Sequence, residues 1–205
     1  MALSHQDATD ENDSQIVAQG TTPWVVSISP GVGERKTFVV QALNTTIGNG
    51  KSMLSLLNAG GSGVVLRLQR LFIINSQNAG VTGVNADFRL FRATGHSVGT
   101  QLTPQSHDTA DSLSASITAR TGATIAGEAA AYLYRWLWGS DEWNTGPLDA
   151  DSLDHGLQNV LPVYRADQGE RPITLRPGEA LTLKQVTNST AGQFDVIAIF
   201  TEASS

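Results

Sequence analysis

Residues 51–75 read KSMLSLLNAGGSGVVLRLQRLFIIN, two apolar runs separated by Gly60, Gly61, Ser62 and Gly63. Val64, Leu66 and Leu68 alternate with Val65, Arg67 and Gln69, the period of two of a strand with one buried face. After Arg70 the apolar set continues through Leu71, Phe72, Ile73 and Ile74, so the parity slips. Either a bulge near Gln69 and Arg70 re-aims the strand, or its far end is buried on both faces. Glycines in the link supply positive φ angles without a Cβ penalty, and the stretch reads as a central β-hairpin.

Outward from this stretch the chain keeps the same character. Residues 24–29 and 37–43 are strand-like runs closed by Gly, Pro or Asn, and 88–92 reads as another after the glycine-bearing link 80–83. Leu113, Ala115, Ile117 and Ala119 alternate with Ser114, Ser116, Thr118 and Arg120, the cleanest half-buried pattern in the chain. In 128–138, EAAAYLYRWLW, three alanines favour helix, while Tyr132, Tyr134, Trp136 and Trp138 at a spacing of two favour strand, which we prefer. An acidic, turn-rich loop follows at 139–159, with a short helix at 149–157 as one option. Runs at 173–175, 181–186 and 194–201 are separated by explicit turn signals, including Arg176-Pro177-Gly178-Glu179.

Six to ten short strands with hardly any helical periodicity predict an all-β protein, a jelly roll or related antiparallel β-sandwich with long loops. Residues 1–20 are polar, carry Asp7, Asp10, Glu11 and Asp13, and read as a flexible or partner-ordered arm. Residues 21–205 read as one domain.

The 205 residues suffice to bury roughly 70% of the unfolded surface without disulfides or metal. With no cysteine, a disulfide framework, a thiolate metal site and a cysteine nucleophile are all excluded. A net charge of -6 argues against broad affinity for nucleic acid or anionic membrane. No apolar run reaches the roughly 18 residues of a membrane helix, and the N-terminal residues lack the pattern of a signal peptide. A soluble, unexported protein is expected.

Several motifs point to chemistry and fail on context. Gly95-His96-Ser97-Val98-Gly99 matches the G-x-S-x-G nucleophile elbow, but the residues after it carry Pro104 and no apolar helical face. Residues 45–52, TTIGNGKS, end like a phosphate-binding loop; Thr45 replaces its first glycine, and no helix-length segment follows. His5, His96, His107 and His155 lack the spacing of a metal pair, and the H-x-H signature of cupins is missing. Asp149, Asp151 and Asp154 fit a calcium loop poorly, since Leu153 takes a ligand position. Asp141, Glu142 and Glu128 make a glycosidase pair only by arithmetic. No cofactor and no enzymatic activity are expected.

Apolar residues on both parities of a strand suggest a different role. Phe194, Val196, Ala198 and Phe200 share one face of the last strand and Ile197 and Ile199 the other, so both faces call for burial. The run 132–138 behaves similarly. A neighbouring subunit would cover such faces, as would loops of the same chain. Trp136, Trp138, Trp143, Ile197 and Ile199 are therefore the candidate subunit or partner contacts. The three tryptophans would alternatively form a sugar-stacking platform.

The polar N-terminal arm, NAGGSGVVLRLQRLFI at 58–73, ITLRPGEALTLKQV at 173–186 and FDVIAIFTE at 194–202 together resemble the jelly-roll virion proteins of tailed bacteriophages. That class includes capsid decoration or cement proteins and head-fibre proteins. The resemblance covers about half of the chain, and proline-glycine turns between strands occur in many sandwiches. It implies a non-enzymatic structural protein of the virion, assembled in the host cytoplasm. Its partners would be the major capsid protein or other virion proteins, and it would often be a homotrimer. The alternative it implies is a fibre module that recognises cell-surface glycan.

Overall fold

A computed structural model describes residues 14–19, 22–27, 35–76, 82–142, 160–166, 171–187 and 192–204. They contain sixteen strands and no helix. The chain divides into two compact units, Met1–Arg35 and Lys36–Ser205.

The first unit holds a hairpin of β1 (Ser14–Gln19) and β2 (Thr22–Ser27), paired antiparallel from Ser14 with Ser27 to Gln19 with Thr22. Residues 14–19, expected within the arm, are thus a strand. Ile16 and Val17 supply its β propensity, and Gly20-Thr21 is a link of hairpin length. Residues 1–13 lie outside the described residues.

The second unit is an antiparallel β-sandwich. Eight strands dominate it: β3 (Lys36–Thr46), β4 (Lys51–Asn58), β5 (Val64–Asn75), β6 (Thr82–Ala93), β12 (Tyr132–Glu142), β13 (Val160–Arg165), β15 (Glu179–Gln185) and β16 (Gln193–Ser204). Short strands fill in between: β7 (Gly95–Ser97), β8 (Thr100–Leu102), β9 (Gln105–Ser106), β10 (Ile117–Thr121), β11 (Thr124–Ala126) and β14 (Thr174–Leu175). One sheet runs β13-β5-β16-β3-β9, with β14 also on β5; the other runs β12-β6-β15-β4-β10-β8. We name them the β16 sheet and the β15 sheet after their central strands. Of the eight dominant strands, only β6 and β12 are both successive and paired.

This arrangement corrects the central hairpin. β4 pairs with β10 and β15, whereas β5 pairs with β13, β14 and β16, so the glycine link crosses from one sheet to the other. Gly61 and Gly63 do take positive φ, at 77° and 68°. A glycine-rich link serves a hairpin or a sheet-to-sheet arch equally well; Asn58 selects the arch. Its buried Nδ2 donates to the carbonyls of Val64 and Leu175, tying the end of one sheet to the start of the other. The phosphate-loop look-alike at 45–52 is a second such crossing, where Lys51 Nζ donates to the Thr46 carbonyl.

The parity slip in β5 is a bulge. Against β16, Ile199 faces Arg70 and Phe200 faces Leu68, leaving Gln69 as the extra residue. Leu66 and Leu68 before it, and Leu71 and Ile73 after it, therefore all point into the core. The expected strand at 113–120 begins only at Ile117. Ser114 instead donates its N–H to the Glu202 carboxylate and accepts from Ile117 N–H, a turn that competes with the ladder.

The two sheets close on interdigitated aromatic and aliphatic side chains. Phe88 and Phe194 meet edge to face at 5.0 Å, and Phe38 stacks on Phe200 at 5.8 Å. These four rings are fully buried, each worth roughly 1.5–3 kcal/mol in transfer alone. A void of about 20 Å³ lies among Leu54, Leu68, Leu90, Leu183 and Ala198, lined by apolar side chains and too small for an organic ligand.

Candidate interaction surfaces

The outer face of the β16 sheet sets apolar side chains beside Gln41, Arg70 and Asp195. Alternation along β16 turns Val196, Ala198 and Phe200 inward and Ile197 and Ile199 outward, both half-buried. Ile197 lies between Gln41 of β3 and Phe72 of β5, and Ile199 between Val39 and Arg70. Ile74 and Leu43 extend the stripe, and Leu43 is 54% exposed. This face lies on a sandwich whose core is already filled from the other side.

The tryptophans sit elsewhere. Trp138 packs edge-on against Phe194 at 5.2 Å, and Trp136 stacks on Tyr134 at 5.6 Å; both abut the core from the side of the sandwich. Tyr134 also meets Tyr164 of β13 at 5.4 Å, bridging the ends of the two sheets. Trp136 and Trp138 are thus partly buried in packing against the core and their neighbouring rings. Trp143 lies outside the described residues. The five candidate contacts do not form one patch: two face outward from the β16 sheet and two face inward along β12.

Beside β12, on the outer face of the β15 sheet, is a cluster that sequence reading missed. Asp87, 3% exposed, accepts from Nε and Nη2 of both Arg89 and Arg135, at 2.7–3.2 Å. Burial pushes its pKa up, but the hydrogen bonds from Arg89 and Arg135 outweigh this and hold the carboxyl below its ordinary range. The Arg89 guanidinium also lies 5.3 Å from the centre of the Tyr132 ring. Asp87 and Arg135 are 48 residues apart, so only the register of β6 against β12 brings them together.

A second polar cluster lies on the same outer face, beneath the small sheet of β7 and β11. His96 Nδ1 is 2.9 Å from Ser55 Oγ and its Nε2 is 2.8 Å from Thr118 Oγ1. Ser52 Oγ and Thr182 Oγ1 meet at 3.0 Å nearby, both buried. Lys184 pairs with Glu128 at 2.8 Å. Burial, then the nearby charge of Arg120, pushes His96 down to about 4, so the ring is neutral near pH 7. Ser97 of the elbow look-alike is exposed on β7, which leads into a turn at Val98 and Gly99 and then strand β8. No helix follows it.

Among the described residues no group of three or more His, Cys, Asp or Glu side chains is placed to hold a metal ion. Asp149, Asp151, Asp154 and His155, with the short helix considered at 149–157, lie outside the described residues. No protein-family profile, curated protein or solved structure matches this chain.

Proposed function

We propose that this chain is a structural virion protein, a decoration or cement subunit that binds an assembled phage head. The observation that carries the proposal is the outer face of the β16 sheet. Val39, Leu43, Phe72, Ile74, Ile197 and Ile199 turn apolar side chains outward there, beside Gln41, Arg70 and Asp195, and lie outside the sandwich core. A protein face of this kind fits a neighbouring protein surface, either another copy in a homotrimer or the shell itself.

Strand order lends support. Numbered one to eight along the chain, the dominant strands run 1-8-3-6 in one sheet and 2-7-4-5 in the other. We infer a jelly roll from that order, an architecture shared by viral capsid proteins, lectins and cupins. Architecture alone assigns no function. The glycan-binding alternative is less favoured, because Trp136 and Trp138 are partly buried in packing. The test is co-sedimentation of the purified protein with assembled empty heads of the phage that encodes it. Saturable binding at a fixed ratio to the major capsid protein is expected. Failure to bind heads, together with a specific hit on a glycan array, would replace this reading by the fibre one.

A further inference from the structure

β12 ends the β15 sheet, and among the described residues no strand pairs with its other edge. The hydrogen-bonding parity shows which backbone groups that edge presents. Val186 N–H donates to the carbonyl of Asp87, and Ala129 N–H to the carbonyl of Arg92. Asp87 therefore turns its backbone toward β15, while Ala86, Phe88 and Leu90 turn theirs toward β12. Their partners there are Trp138, Trp136 and Tyr134. It follows that Arg135, Leu137, Gly139 and Asp141 direct N–H and C=O away from β6, onto the edge that no described strand pairs.

Side chains mark the same strand. Among the described residues, four of the six exposed large hydrophobics lie on it: Tyr132, Leu133, Tyr134 and Leu137, the last 62% exposed. Edge strands are normally blunted by charge, proline or a covering loop, and a flat apolar edge templates another strand. The charge along β12 then selects the partner. Its sequence YLYRWLWGSDE has Arg135 in its first half and Asp141 and Glu142 at its end. Antiparallel pairing of this strand with itself sets unlike charges opposite one another.

We propose that two copies of this chain join through β12, edge to edge about a twofold axis, so that the β15 sheet continues across the pair. Free-edge parity requires odd-numbered residues to face odd-numbered ones. The register that meets this condition and the charges sets Arg135 opposite Asp141, Leu137 opposite Gly139, and Trp138 opposite its own counterpart. Gly139, without a side chain, leaves room for Leu137. Such an interface is isologous and closes at two copies. It is independent of the shell-binding reading, which uses the opposite sheet.

Sedimentation of the full chain at micromolar concentration tests it, with an even number of subunits expected. Leu137→Pro removes an N–H that bonds nothing in β6, and proline is tolerated on a free edge. That variant should keep the near-UV circular dichroism of the parent and sediment at half its mass. If it does not fold, Leu137→Asp, at a largely exposed side chain, serves with the same readout. Asp141→Arg should weaken self-association about tenfold at low salt and less at high salt. Assembly through the β16 sheet would instead be lost in Ile197→Asp and not in the Leu137 variants. A parent that is monomeric, or an assembly whose mass is unchanged in every folded Leu137 variant, overturns the proposal.

Discussion

His96 is held by two hydroxyls from neighbouring strands, Ser55 of β4 and Thr118 of β10, so its ring pins the β7 segment to the sheet beneath. Because burial and Arg120 lower its pKa to about 4, the unfolded chain binds a proton at this residue that the folded chain refuses. Stability should therefore fall as pH drops from 6.5 toward 4, and this contribution should level off below that. We expect about 1–2 kcal/mol over that window, after solvent screening of a half-exposed ring. Melting temperature measured against pH should show the slope, and His96→Gln should flatten it. Asp87 acts in a separate window. Its lowered pKa stabilises the fold above the ordinary value of 3.8, and that stability is lost as pH falls through the folded value. A slope between 6.5 and 4 that survives in His96→Gln would assign it to another group.

The links between elements differ in how much their glycines matter. Gly61, at φ 77°, has open space where a Cβ would stand, so Gly61→Ala should cost only the left-handed penalty, about 1 kcal/mol. Gly99, at φ 68° between β7 and β8, has the Thr121 carbonyl and the Ala123 N–H where a Cβ would go. Gly99→Ala should cost about 2–4 kcal/mol, because backbone atoms must move. Chemical denaturation of the two variants checks the ordering. The bulge in β5 was legible because a change of apolar parity within one strand requires either an extra residue or burial on both faces. The partner of β4 was not, since glycines at 60–63 state that the chain turns and not which sheet it enters. At β10 the alternation of Leu113 and Ala115 ran on past the strand, because the Glu202 carboxylate takes the Ser114 N–H.

The second compact unit, Lys36–Ser205, holds both sheets of the sandwich and the core between them, so residues 36–205 should fold cooperatively on their own. A single sharp thermal transition for that fragment is expected; a broad or absent one would mean that the first unit is needed for folding. Ile197 is half-buried and faces outward, so Ile197→Asp should leave the sandwich folded and abolish contacts made through that face. Light scattering reads the assembly and circular dichroism the fold. Loss of both together would place Ile197 in the core of the single chain. Parity in the sequence separated the two sides of β16, with Phe194, Val196 and Ala198 inward and Ile197 and Ile199 outward. The Asp87 cluster was illegible for a different reason. Charges 48 residues apart become neighbours only through a register that no local pattern encodes.

The central positions of β16 and β15 also set when folding can occur. β16 follows all the other described strands in the chain, yet it lies between β3 and β5, and β15 lies between β4 and β6. On the ribosome, the β15 sheet cannot close before Gln185 has emerged, nor the β16 sheet before Ser204. Pairing over such sequence distances makes folding slow. Until then β3 and β5 have no strand to separate them, and their apolar faces are open to wrong partners. A nascent chain halted after Gly192 should therefore be cut by protease throughout its length, and adding the twelve residues of β16 should protect the whole sandwich in one step.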